Sequence, residues 1–136
     1  MYRNTEHALS AALEGIASEG VPVSVYDVRK THISYILPDL WTQRGVLVAA
    51  PTYEGGLFPP MQDALLMADR KRVMHKQAAY LGSYAWSGGA QKDFELLAEK
   101  MAWDVLGSLG FIGGPNEMDL LRAREMGVQL ARAVQG

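Results

Sequence analysis

The chain has 136 residues, 49% of them hydrophobic, with 13 lysines and arginines, 15 aspartates and glutamates and no cysteine. That length favours one domain, 1–136, big enough to bury a core unaided, and the lack of cysteine excludes disulfides, thiolate metal sites and a Cys nucleophile. A net charge of −2 with only the short Arg70-Lys71-Arg72 cluster argues against a nucleic-acid partner, and no apolar run approaches the roughly 18 residues of a membrane span.

Met1-Tyr2-Arg3-Asn4 leads into a polar, helix-starting segment rather than a signal peptide, so the cytoplasm is the expected location. Residues 4–19 read as a helix: Leu9, Leu13, Ile16 and Ala17 share a face, Asn4 or Thr5 supplies the cap, and Gly20 ends it. Residues 21–28 read as a strand, with Val23, Val25 and Tyr26 as β-forming bulk. Thr31 is set to cap a short helix, 32–41, with Pro38 near its start or kinking it. Residues 45–50 form a continuous apolar run, the mark of a strand buried on both faces. A Gly- and Pro-rich loop, 51–60, precedes a helix over about 61–72. Residues 77–81 are a second buried strand, followed by the loop 82–89. The spacing of Phe94, Leu97, Ala98 and Met101 predicts a helix over 91–101. Residues 105–112 form a glycine-broken strand region, one bent strand or two short ones. Pro115 and Asn116 open the last helix, and Asn116 with Asp119 makes a capping pair. Strand and helix alternate after an initial helix, the pattern of a parallel sheet covered on both faces.

In such a sheet, ligands sit outside the carboxyl ends of the strands. Two loops at strand ends, 51–60 and 82–89, pair aromatics with hydroxyls and glycines. Aromatics offer flat faces for a ring, and glycines let backbone N–H groups come close to a ligand. The start of the first helix, Tyr2-Arg3-Asn4-Thr5, combines free amides with polar side chains and suits a phosphate. Each element alone also reads as ordinary structure: a helix cap, half-buried loop aromatics, turn glycines. Together they describe a seat for a mononucleotide with a large planar ring. His7, His32 and His75 are scattered, and no metal-ligand cluster or catalytic set is evident.

These residues resemble the flavodoxin family, and more closely the FMN-binding domain of flavodiiron proteins. The segments 1–6, 31–37, 50–60 and 82–89 carry the resemblance, which covers essentially the whole chain. It implies a flavodoxin-like three-layer α/β sandwich, a mainly parallel sheet of four or five strands with helices on both faces. Carried over, it implies that Tyr2, Arg3, Asn4 and Thr5 surround the phosphate of FMN. Pro51, Thr52, Tyr53, Glu54 and Gly55 would line one side of the isoalloxazine, and Ser83, Tyr84, Ala85, Trp86, Ser87 and Gly88 the other. Tyr53 and Trp86 would stack on the ring, and Glu54 would lower the reduction potential by disfavouring an anionic reduced flavin.

The implied activity is electron transfer from a small redox donor to a separate acceptor such as a di-iron domain; no di-iron motif occurs in this chain. Two features depart from the family: Arg3 stands where the phosphate loop usually has Gly, and the first, central strand belongs before Met1. An upstream segment, another segment or a second subunit would fill that gap, or the gene is truncated. Exposed edges of this kind favour a homo-oligomer or strand exchange. The alternative functions are an FMN-dependent NAD(P)H:quinone reductase and a flavin-free interaction or structural module.

Overall fold

The computed structural model describes residues 2–84 and 88–136. In chain order it contains α1 (Tyr2–Ser18), α2 (Ile33–Thr42), β1 (Gly45–Ala49), β2 (Thr52–Tyr53), β3 (Gly56–Leu57), α3 (Pro59–Arg70), β4 (Gln77–Tyr84), α4 (Gly89–Lys100), β5 (Asp104–Ile112) and α5 (Glu117–Gln135). The main sheet has the order β1-β4-β5, all parallel, and β2 and β3 form a separate antiparallel pair.

Side chains alternate along the strands, as the pleat requires. Val48, Ala78 and Tyr80 face a core shared with Leu65 of α3 and with Phe94, Leu97 and Ala98 of α4. Leu47, Ala49, Leu81, Leu109 and Phe111 face the opposite way, onto Ala8 and Ala12 of α1 and Ala123 of α5. Both faces of the sheet are therefore covered, which accounts for the unbroken apolar runs in sequence. The glycine-broken region is one strand, with a register shift against Ala78 and Ala79 that accommodates the extra residue.

On the second face, α1 and α5 approach until backbone meets backbone. A Cβ at Gly15 would run into the carbonyl oxygen of Arg124, and one at Gly127 into that of Ala12. Small residues are needed at this crossing, and the sequence supplies them as Gly and Ala. The last helix opens as predicted: Asn116 Oδ1 accepts from the Asp119 amide at 2.8 Å, and Asp119 returns a bond to the Asn116 amide at 3.0 Å.

At the amino ends of the strands, buried Lys76 donates from Nζ to the carbonyls of Trp41 (3.1 Å) and Gln43 (2.6 Å). It thereby neutralises exposed acceptors at the carboxyl end of α2. Desolvation pushes its ammonium below the usual lysine value.

Several local readings are corrected. Helix α1 starts at Tyr2, so Asn4 and Thr5 lie within its first turn rather than at its cap. His32, not Thr31, caps α2, its Nδ1 accepting from the Ser34 amide at 3.1 Å. Pro38 sits inside α2, where it removes one helical donor. Helix α3 begins at Pro59, because a proline ring is already set for the first helical turn.

The largest difference concerns 21–28. This segment is not a strand, although its composition is that of one. A strand exists only against a hydrogen-bonded neighbour, and no backbone hydrogen bond among the described residues joins 21–26 to β1. An apolar cavity lies between them instead. The main sheet consequently has three strands among the described residues, rather than four or five.

Candidate functional site

The carboxyl ends of β1 and β4 lie together, because the two strands are in register from Gly45–Gln77 to Ala49–Leu81. Beyond them Ala50 continues the pairing, its amide donating to the Leu81 carbonyl at 3.0 Å. Ala50's carbonyl accepts from the buried Tyr80 hydroxyl at 2.6 Å. Burial raises the Tyr80 phenol well above its ordinary value, so this donor keeps its proton. Gly82 lies beside the same carbonyl and leaves no room for a Cβ. The chain thus leaves the sheet at a fixed angle into buried Pro51 and the β2–β3 hairpin.

That hairpin turns on two residues with positive φ, Glu54 (48°) and Gly55 (82°). This is a type I′ turn, whose hand matches the twist of the strands it joins. Its sides are clipped to the first turns of α4. Thr52 Oγ1 accepts from the Ala90 amide at 3.3 Å, and Asp93 Oδ2 accepts from the Leu57 amide at 2.9 Å. Gly89 lies so close beneath the Gly55 carbonyl that a side chain there is excluded. Tyr53 is 44% exposed and meets Phe58 edge-on, with ring centroids 6.2 Å apart and planes at 83°. Its ring therefore remains accessible at the rim.

The first turn of α1 joins the same rim. Thr5 is 3% exposed, and its hydroxyl lies 3.2 Å from the Ser83 hydroxyl and accepts from the Ser83 amide at 3.3 Å. Arg3 is exposed and Asn4 half-buried, with the Asn4 amide oxygen facing Gly114. No acidic residue lies in the first turn of α1. Glu6, one residue further on, is paired with Arg29 at 3.5 Å, and Arg29 also holds Asp27 at 2.8 Å. The Asp27 carboxyl is pulled below its usual value by the Arg29 hydrogen bond. The helix start thus offers free amides and a cation without a competing carboxylate, the electrostatics an anion needs.

The structure brings Thr5 and Ser83 into contact and sets Arg3, Asn4, Pro51, Thr52, Tyr53, Glu54, Gly55, Tyr84 and Gly88 around one edge of the sheet. Tyr2 is the first residue of α1. Ala85, Trp86 and Ser87 lie outside the described residues, and with them the stacking role expected of Trp86. Gly55 and Gly88 open onto free space, so backbone is accessible on both loops. Buried hydroxyls, an accessible aromatic and bare glycine backbone on one rim fit a phosphate-bearing planar group.

Sequence reasoning missed the supports of this rim. Asp93 and Tyr80 lie within a helix or strand pattern and carry no local signal of their partners. Gly113, whose amide donates to the Tyr84 carbonyl at 3.1 Å, follows β5 with a φ of 64°.

Over 134 residues the chain is 31% identical to an anaerobic nitric oxide reductase flavorubredoxin of Aeromonas hydrophila, covering 97% of this chain and 27% of that protein. It thus spans about a quarter of the length of that curated relative. No family model matches. The fold superposes on the flavodiiron protein of Giardia intestinalis with a TM-score of 0.94 at 23% identity, over 99% of this chain and 34% of that one. A flavodoxin from the Archaea superposes with a TM-score of 0.87 at 23% identity, over 100% and 94% of the two chains. The parallel sheet between two helical layers, the loops gathered at its carboxyl edge and these likenesses together give the chain a flavodoxin-like fold, similar to one stretch of a flavorubredoxin and of a flavodiiron protein.

Proposed function

We propose that the domain binds FMN non-covalently at the carboxyl edge of its sheet and relays electrons between a small redox donor and a separate acceptor. The observation that carries this reading is the meeting of three elements at one rim, tied by the Thr5–Ser83 contact. When bound, the flavin supplies the electron-carrying chemistry. The chain's residues place and polarise it. The first-turn amides of α1, with Arg3, Asn4 and Thr5, hold the phosphate. Pro51, Thr52, Tyr53, Glu54 and Gly55 line one side of the ring, and Ser83, Tyr84, Ala85, Trp86, Ser87 and Gly88 the other.

The acceptor in this reading is a di-iron domain; the solved structure of similar fold named a flavodiiron protein, of which this chain matches 34%, supports it. Nothing in the reading calls for a metal ligand or a proton-transferring residue from this chain.

The test is a fluorescence titration of FMN with the purified protein, followed by desalting and a visible spectrum. Quenched fluorescence and retained flavin bands are expected. Thr5→Val should weaken binding about tenfold, since loss of one charge-assisted hydrogen bond costs roughly 1.5 kcal/mol. A folded protein that retains no flavin overturns the proposal in favour of an interaction module. Turnover of a quinone with NADPH by the loaded protein would make it a reductase.

A further inference from the structure

On the outer side of the second helical layer, α1 and α5 leave a groove of about 410 Å³ between them. The two helices run the same way: Asn4 faces Gly114 near their starts, and Gly15 lies against the Arg124 carbonyl further along. From α5 the groove takes Glu117, Leu120, Leu121 and Arg124. From α1 it takes His7, Ser10, Ala11 and Glu14. Both sets step by three, one and three residues, a spacing that is unchanged on reversal.

Glu117 and Arg124 stand two helical turns apart on one side of α5, about 10.5 Å along the axis, too far to pair with each other. None of His7, Glu14, Glu117 and Arg124 makes an ion pair among the described residues. Between the two charges of α5, Leu121 is 61% exposed, and Met118 nearby is 57% exposed.

We propose that this face docks a second copy of the chain about a two-fold axis crossing the groove at right angles, which lays α5 antiparallel on α5 of the second copy. A two-fold interface has to match itself, and this one does. Reversal about the midpoint between Leu120 and Leu121 sets Glu117 opposite Arg124 of the second copy, twice over. The same reversal sets Leu120 opposite Leu121 around the axis, and His7 opposite Glu14 along α1. Each titratable group in the groove thus meets its complement, and exposed leucine meets leucine. Antiparallel helix dipoles add to the attraction. The other two-fold arrangement, with the helices parallel, would lay the leucines on the Ser10 hydroxyl and set like helix ends side by side, so the geometry selects the antiparallel one. Both helices start at the carboxyl edge of the sheet, so the carboxyl edges of the two copies lie at opposite ends of the dimer and stay uncovered.

Sedimentation velocity of the intact protein, from low-micromolar to submillimolar concentration, should show a reversible monomer–dimer equilibrium. Glu117 and Arg124 are exposed, so Glu117→Arg and Arg124→Glu should fold, as circular dichroism will check. Each variant alone sets like charges across the axis and should dimerise at least about tenfold more weakly. An equimolar mixture of the two has opposite charges at both contacts, so it should recover a heterodimer. Leu121→Asp tests the same face without touching either charge and should also leave a monomer.

A wild-type protein that stays monomeric throughout the range overturns the proposal. So does a dimer that the single reversals or Leu121→Asp leave intact, and so does a mixture that fails to associate, the result expected of the parallel arrangement. Recovery in the mixture cannot arise from pairing at a sheet edge. None of these readouts involves flavin, so the outcome is independent of the electron-transfer reading.

Discussion

Tyr80 joins the sheet to the loop that leaves it. Its buried hydroxyl holds the Ala50 carbonyl, so Tyr80→Phe strands an acceptor in the core, and a loss of about 1–2 kcal/mol is expected by urea denaturation at pH 8. The pH dependence has a definite sign. The phenol is raised in the folded state from an unfolded value of 10.0; its contribution is complete below pH 10 and is lost as pH climbs above it. Lys76, lowered from 10.5, contributes the opposite slope, which ends at pH 10.5. Above that pH the wild-type protein should lose stability faster than the Phe variant, and equal slopes would show that Tyr80 is not protected.

Glu54 is the other residue with a direct test. It sits exposed at the tip of the turn, so its charge is screened by water. Glu54→Gln should raise the potential of the bound flavin by only about 10–30 mV, the size of one unit charge acting through a high dielectric. An unchanged potential in spectroelectrochemical titration would remove Glu54 from the proposed tuning.

At the scale of elements, the α1–α5 crossing leaves no room for added bulk. Alanine normally improves a helix over glycine by about 1 kcal/mol. At Gly127 the added methyl meets the Ala12 carbonyl, so Gly127→Ala should instead destabilise by about 1–3 kcal/mol, measured by chemical denaturation. A stabilised variant would show that the helices can separate at no cost. The apolar runs at 45–50 and 77–81 gave away their strands because covered faces demand continuous apolarity, and the Asn116–Asp119 spacing gave away its capping box. The segment 21–28 misled for a physical reason: composition records the wish to pair, while a strand needs a neighbour. The site was half legible. Hydroxyl, glycine and aromatic loops stand out locally, but the contacts bracing them, Asp93 to Leu57 and Thr5 to Ser83, span 36 and 78 residues and leave no mark on any short window.

The whole molecule divides into a tight part and a loose one. The central strand β4 is flanked by β1 and β5 and buried along most of its length, so its amides should exchange with solvent only on global unfolding. Amides of 21–26, without backbone partners, should exchange orders of magnitude sooner in hydrogen-exchange mass spectrometry. Similar protection of the two would mean that 21–28 closes onto the sheet in solution. The clips between the β2–β3 hairpin and α4 have a mechanical result. The hairpin has no hinge of its own, since both of its sides and its turn rest on the first turns of α4. To widen the rim, α4 must tilt as a lever about 18 Å long, given its 12 residues. Its far end is wedged in the core, where the Met101 carbonyl holds the His75 amide and Trp103 holds the Val73 carbonyl. A push on the flavin-side rim is therefore felt at the opposite end of the sheet.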